Sequence, residues 1–294
     1  MTMVFTQSIQ HLIREDEPLS GFTWARVGGA AKYFAEPGTQ PELAQILSEA
    51  AAAGIPARIV GEGANILVRD AGYDGLVISL KAAEFSKVSI KDNVLTAGAG
   101  ASLSQVVSAS AGAGLAGIEY LAGIPGTFGG ALVCNASVKN GDLGCRVTHV
   151  VAIEADGKSI TLGSDQLRFG FQRSNLDGRF VIEAALQLET VDSAELTRRM
   201  QSSWIVKRAA QPASGQRALQ AFVEPDGMSL SDVLEQSGVQ GLNEGEISLS
   251  KQYPGYLVFS GEVKADEIIK FVQRVTTKVE AATGIRLHCP IKIW

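Results

Sequence analysis

The chain has 294 residues, 46% of them hydrophobic and 19% charged, with a formal net charge of −5. That length allows about two or three domains of roughly 100–150 residues each, and the composition excludes disordered and collagen-like chains. The negative balance supplies no general attraction to nucleic acid or to an anionic membrane surface.

No apolar run reaches the roughly 18 residues of a membrane span, and MTMVFTQSIQHLIRED has polar breaks and no cleavage site, so a cytoplasmic protein is expected. Cys134, Cys145 and Cys289 lie far apart without a CxxC, and the histidines are His11, His149 and His288. Neither a disulfide framework nor a metal site is expected from that set.

Residues 1–20 form an N-terminal segment ending near Pro18, followed by GFTWARVGGAAKYFAEP, in which strand-like residues flank Gly28 and Gly29. Thr39 to Ala53 predicts a helix: Thr39 with Glu42 makes a capping box, Leu43, Ile46, Leu47 and Ala50 form one face, and Gly54 ends it. ARIVGEGANILVRD then reads as strand, Gly-rich turn and strand, and Gly75–Leu80 as a buried strand. This order fits a small α/β unit that presents its turn to a ligand. From Val88 the pattern changes to short strands, and Ser102 caps a helix over Leu103, Val106 and Val107. VTHVVAIEADGKSITL predicts a hairpin around Asp156–Gly157, Ser164–Phe169 a short turn or helix, and RFVIEAALQLE a strand. A helix runs from Asp192 or Ser193 to about Lys207, and 209–218 is a loop. Ser229 and Asp232 open a short helix, Tyr256–Phe259 is a strand, and Asp266–Thr283 is a long helix with Ile268, Val272, Val275 and Val279 on one side. IRLHCPIKIW reads as a closing strand.

Two Gly-rich stretches stand out. Gly61-Glu62-Gly63-Ala64-Asn65 lies between two strands; no helix follows it, so it is not a dinucleotide fingerprint, and no GK[ST] follows, so it is not a P-loop. A plain structural turn is the competing reading. The second stretch, Leu121–Ala136 (LAGIPGTFGGALVCNA), is apolar and built mostly from small residues. Gly123, Gly126, Gly129 and Gly130 suit backbone pressed against a large ligand, where Cβ atoms would intrude. Together, about 60 residues apart, the two suggest loops gripping one extended phosphate-bearing cofactor.

Gly61–Val68 and Ala122–Ala136, with Thr23–Gly29, Glu36–Pro37, Asp70–Gly72, Gly75–Ile78, Ala97–Gly100 and Gly117–Glu119, make the chain resemble the UDP-N-acetylenolpyruvoylglucosamine reductases, flavoenzymes of bacterial cell-wall synthesis. The resemblance is specific across about 20–190 and persists in outline beyond, without the long tyrosine-bearing insertion of some members. It implies an α+β fold: a vanillyl-alcohol-oxidase-like two-part FAD-binding domain plus a smaller C-terminal substrate-type module. The implied division is 1–82, joined by the strand 285–294, then 83–192, then 193–284. It also implies FAD as cofactor, NADPH as reductant and a UDP-sugar as small-molecule substrate. Gly61, Glu62, Gly63, Ala64, Asn65 and Ile66 would take the pyrophosphate, with Ala64 standing where the family usually has Ser. Ile124, Pro125, Gly126, Thr127, Gly129 and Gly130 would approach the flavin ring with Asn135 and Ala136, and Val27 and Ile182 complete the implied cofactor set.

The implied reaction needs a proton donor and a cation beside a developing enolate. The family's donor position falls at Gln220, before Ala221–Pro225, and its Glu at Pro290. Its Arg falls at Gln172, with Arg173 one residue along as the candidate catalytic cation. Val223, Glu224, Tyr253 and Gly255 also replace family residues. An atypical active site is therefore expected. Ser214, His288 and Cys289 are substitute donors, against a plain reading as loop or packed residues. Cys145 and His149 are remote candidates for covalent flavin attachment, and Arg198, Arg199, Lys207 and Arg208 either meet a diphosphate or form a solvated helix face. Alternatives to the family reaction are a diverged flavin oxidase or dehydrogenase and a non-catalytic flavin-binding homologue.

Overall fold

The computed structural model describes residues 4–138, 141–213, 215–225 and 227–294. They pack as two compact units, one of 1–17, 31–62 and 74–207, the other of 18–30, 63–73 and 208–294. Each has its own apolar core.

The first unit is built on two larger sheets. One has the order Ile13–Pro18, Ala30–Ala35, Tyr73–Ser79, Ala57–Val60, the last two parallel. Helix Gln40–Ala52 buries Leu43, Ile46, Leu47 and Ala50, and its start is fixed by the predicted capping box of Thr39 and Glu42. The other sheet has the order Ser159–Gly163, Val147–Ile153, Phe180–Gln187, Val94–Gly98, Val88–Lys91, antiparallel throughout. The expected hairpin lies at one edge and turns at Gly157 (φ 85°). Ser164–Phe169 forms turn and extended chain without a helix. Helix Leu103–Gly112 starts at a Ser102–Gln105 capping box. Helix Ser193–Ala209 docks through Leu196, which clusters with Ala111 and Ala116. The first unit thus takes 83–192, most of 1–82 and the helix through 207, whereas 18–30, 63–73 and 285–294 fall in the second.

The second unit is built on the antiparallel order Ala218–Gln220, Tyr256–Phe259, Ile247–Leu249, Asn243–Glu244. Helices Leu230–Gln236 and Ala265–Thr283 contribute to its core through Leu230, Val233, Leu234, Ile268, Phe271, Val275 and Val279. The carboxylate of Asp70 accepts from the amides of Ala265 and Asp266, both at 3.0 Å, and so caps the long helix from a distant part of the chain. The expected ten-residue closing strand is shorter: only Lys292–Ile293 pairs, in parallel with Ile66–Leu67. Pro290 has no N–H to give a ladder and stands just before the paired residues. Among the described residues, no helix is long and apolar enough to cross a membrane.

Candidate functional site

In the first unit the two Gly-rich stretches meet. A Cβ on Gly61 would run into Oγ1 of Thr127, so the strand-end turn sits directly on the second stretch. That stretch contains a short helix, Phe128–Val133, which the glycines hid at the sequence level. Thr127 caps it by accepting from the Gly130 amide at 3.2 Å. The Phe128 and Gly129 amides donate to Ala101 O (2.8 Å) and Ala99 O (2.9 Å). These donors are therefore engaged inside the protein, so the stretch offers a packed apolar face rather than a nest of free amides. Gly126 has φ 119° and open space where a Cβ would project, a conformation and a vacancy that suit a flat ligand. Ile182 O accepts from Ala99 N at 2.8 Å, and a Cβ on Gly129 would stand 2.7 Å from that of Ala99, so Ile182, Ala99, Gly129, Thr127 and Gly61 are contiguous. Ile124 and Pro125 are half-buried on the approach to Gly126.

Asn135 is fully buried at φ 46°. Its Nδ2 donates to Gly170 O and its Oδ1 accepts from Gly144 N, both at 2.9 Å. Its side chain braces backbone, and Ala136 continues that brace by accepting from Leu143 N at 3.0 Å. The braced segment is the hairpin of Phe169–Gly170 with Arg173–Ser174. Ser174 ties it to the short helix by donating to Val133 O at 2.8 Å. At its tip, Gln172 sits at φ 50°, and its Oε1 is buried without a hydrogen-bond partner among the described residues. Arg173 is exposed, so Gln172 rather than Arg173 turns its side-chain end inward. Cys145 is exposed and donates to Asp142 O at 3.0 Å, while His149 lies within a central strand.

The last turn of helix Ser193–Ala209 lies on the same stretch. A Cβ on Gly123 would stand 3.0 Å from that of Lys207. Burial lowers the Lys207 ammonium below its usual range, and no carboxylate pairs with it among the described residues. An unpaired, desolvated cation of this kind favours an anionic neighbour. Arg198 and Arg199 face solvent on the same helix.

In the second unit, Gly63 has φ 65°, and a Cβ there would collide with Phe22 O. The turn is pinned by the Trp24 amide donating to Gly63 O at 3.1 Å. The amides of Gly63 and Ala64 have no partner among the described residues, which leaves donors for anionic oxygens. The Glu62 amide is likewise unpartnered in the first unit, and the Glu62 residue is exposed. Asn65 Nδ2 donates to Pro290 O at 2.8 Å, Asn65 O accepts from Lys292 N at 2.9 Å, and Ile66 pairs with Lys292. Val27 is buried in this unit's core, its carbonyl accepting from the Thr23 hydroxyl at 3.2 Å.

The positions expected to carry proton chemistry are linked in the second unit. The Val223 amide donates to His288 O at 3.4 Å, and Pro290, two residues on, holds Asn65. Burial pushes the Cys289 thiol up, keeping it protonated. Sequence reasoning missed Tyr256, which stands directly opposite Gln220 and approaches its Oε1 at 3.4 Å. Burial pushes the Tyr256 phenol up to about 12. Only the register of two strands far apart in sequence reveals the pair. Ser214 lies outside the described residues.

Comparison with known proteins gives matches over the whole chain. A family model described as "FAD binding domain" matches residues 31–163, and one described as "UDP-N-acetylenolpyruvoylglucosamine reductase, C-terminal domain" matches 211–294. The UDP-N-acetylenolpyruvoylglucosamine reductase of Rhodopirellula baltica is 36% identical over 100% of this chain and 96% of its own length. UDP-N-acetylenolpyruvoylglucosamine reductase 2 of Symbiobacterium thermophilum is 32% identical over 96% of this chain and 92% of its own. The crystal structure of the Thermus caldophilus UDP-N-acetylenolpyruvylglucosamine reductase superposes with a TM-score of 0.81 at 30% identity, covering 96% of this chain and 99% of that one. Gln220 and Pro290 fall inside the matched C-terminal region, and these matches give no sign of the atypical active site expected from sequence. With a two-part FAD-binding domain of the vanillyl-alcohol-oxidase type and the matching C-terminal domain, the chain belongs to the UDP-N-acetylenolpyruvoylglucosamine reductase family.

Proposed function

We propose that this protein reduces the enolpyruvyl group of UDP-N-acetylenolpyruvoylglucosamine to give UDP-N-acetylmuramate, a cytoplasmic step of peptidoglycan synthesis, with FAD as cofactor and NADPH as reductant. The observation that carries this reading is the match to a named reductase over 100% of the chain at 36% identity.

The chain's own residues fit the cofactor. The unpartnered amides of Glu62, Gly63 and Ala64 would hold the pyrophosphate, with Asn65 and Ile66 fixing the turn against the closing strand. Ile124–Thr127 with Gly129 and Gly130 would flank the ring, where Gly126 leaves open space. Ile182 backs that face through Ala99, and Val27 supports the turn's own unit. When bound, FAD supplies a hydride carrier between NADPH and the substrate. Asn135 and Ala136 act by holding the hairpin that carries Gln172 and Arg173. Lys207 supplies positive charge next to Gly123, and Arg173 a solvent-facing cation for a substrate carboxylate or phosphate.

Purified protein is expected to be yellow and to release FAD on denaturation. Under anaerobic conditions NADPH should bleach the flavin, and the enolpyruvyl substrate should restore its colour. Bleaching that requires a different reductant, or reduced flavin that the substrate leaves unchanged, refutes the reading in favour of a flavin oxidoreductase of other specificity. Flavin that no reductant touches points to a non-catalytic binder.

A further inference from the structure

We infer that Trp24 and Arg26 form the nucleotide end of the cofactor site, with the Arg26 guanidinium as counter-charge to the pyrophosphate and the Trp24 indole as a face for the purine. The inference rests on the function proposed above, which gives the Gly63 and Ala64 amides a pyrophosphate to hold. All four residues belong to the second unit.

The segment 22–27 lies directly against the Gly-rich turn. A Cβ on Gly63 would collide with Phe22 O and stand 2.7 Å from Thr23 Cα, and the Trp24 amide donates to Gly63 O at 3.1 Å. Burial alternates along the segment. Thr23, Ala25 and Val27 are buried, the last two in the unit's apolar core, while Trp24 and Arg26 are exposed. The buried side anchors the backbone beside the bare amides, and the open side carries one aromatic ring and one cation. Trp24 is 45% exposed, which leaves ring surface for a ligand. An indole face stacks on a base, and a guanidinium fork matches phosphate oxygens.

The backbone at Arg26 adds to the argument. Its φ of 54° is a left-handed conformation that glycine or asparagine adopts more readily. Three bonds hold it there: Arg26 N donates to Thr23 O at 3.1 Å, the Thr23 hydroxyl donates to Val27 O at 3.2 Å, and Arg217 Nε donates to Ala25 O at 3.3 Å. A turn fixed in this way has no structural need of arginine. The guanidinium finds no partner among the described residues, so its charge is available to a ligand. Two steps of chain separate Arg26 from Trp24, at most about 7 Å, a distance that the ribose of a nucleoside diphosphate spans. The bare amides alone suit any phosphate; the ring and the cation beside them select a purine nucleotide.

The test is titration of flavin-free protein with FAD, followed by flavin fluorescence at several salt concentrations. Arg26→Asn keeps a residue that accepts the left-handed turn, so its urea midpoint should match or exceed the parent's. Its FAD affinity at low salt should fall about 10- to 100-fold, as expected for loss of a charged hydrogen-bond donor. The weakening of FAD binding by salt should also become shallower, because one charge has left the site. Trp24→Leu should weaken FAD binding by about tenfold, the scale of one base stacked on an aromatic side chain, with the parent's salt dependence unchanged. Arg26→Asn with the parent's affinity and salt dependence, or Trp24→Leu with the parent's affinity, overturns the inference and leaves the proposed function standing. A parent protein that takes up no FAD overturns the cofactor reading and the inference with it.

Discussion

Gly129 and Gly112 both lie in helices of the first unit, and alanine should have opposite effects at the two. At Gly129 a new Cβ would stand 2.7 Å from Ala99 Cβ and 3.0 Å from Ala99 O. Ala99 cannot move aside, because its amide is bonded to Ile182 O and its carbonyl receives the Gly129 amide. Overpacking of this kind costs about 1–3 kcal/mol, and rigid neighbours put this site near the upper end. Alanine recovers about 1 kcal/mol of helix propensity, so a net loss of about 2 kcal/mol is expected. Gly112 is exposed at the end of its helix, and nothing lies within 4 Å of its would-be Cβ. Gly112→Ala should therefore stabilise by about 0.5–1 kcal/mol. Urea unfolding of flavin-free protein is the assay, because bound cofactor would add its own linkage. With a slope of about 2–3 kcal/mol/M, Gly129→Ala should lower the midpoint by about 0.7–1 M, and Gly112→Ala should raise it slightly. Equal midpoints, or a stabilised Gly129→Ala, would refute the close-packing argument for the Gly-rich stretch.

Asn135→Ala should strand the Gly144 amide and free Gly170 O, costing about 1–3 kcal/mol for the unmet donor alone. The loss should appear in the same urea titration, together with faster proteolysis of the hairpin around Phe171. Lys207→Met removes a largely desolvated ammonium that lacks a carboxylate partner among the described residues, so the flavin-free protein should gain stability at pH 7. The sign with pH follows from its lowered value: folding disfavours the proton, so the penalty is complete below the folded-state value and fades as pH rises toward 10.5. The difference between parent and Lys207→Met should therefore shrink between neutral pH and pH 10.5, and a difference that grows would contradict it.

Local signals in the sequence correspond well to the structure. The Thr39 capping box and the Ser102 cap start their helices as expected, and Gly157 turns the predicted hairpin. Each rests on residues within three or four positions of one another, so the chemistry is complete in a short window. The glycines that mark Leu121–Ala136 for close approach also masked its short helix, because glycine weakens the helical signal while permitting the packing on Ala99. Ten apolar-patterned residues at the C-terminal end suggested a full strand, but a partner is available only at Ile66–Leu67. Asn135 illustrates a deeper limit. Its place beside the Gly-rich loop was legible, whereas its work as a buried brace depends on Gly144 and Gly170, which sequence alone does not bring to it. Tyr256 and Gln220 are 36 residues apart and meet only through strand register.

The second unit is assembled from three separated pieces of chain, and that has a consequence for synthesis. Asp70 waits for the helix it caps, and Ile66–Leu67 wait for Lys292–Ile293. About 220 residues lie between Tyr73 and Lys292. At roughly 5–20 residues per second, the early pieces emerge about 10–45 s before their partners exist. In the later part of that interval, once 207 has emerged, the first unit can close on its own core. The Gly-rich turn at Gly63–Asn65 therefore reaches its final form only when the end of the chain arrives, which makes its two unpartnered amides among the last features of the molecule to mature.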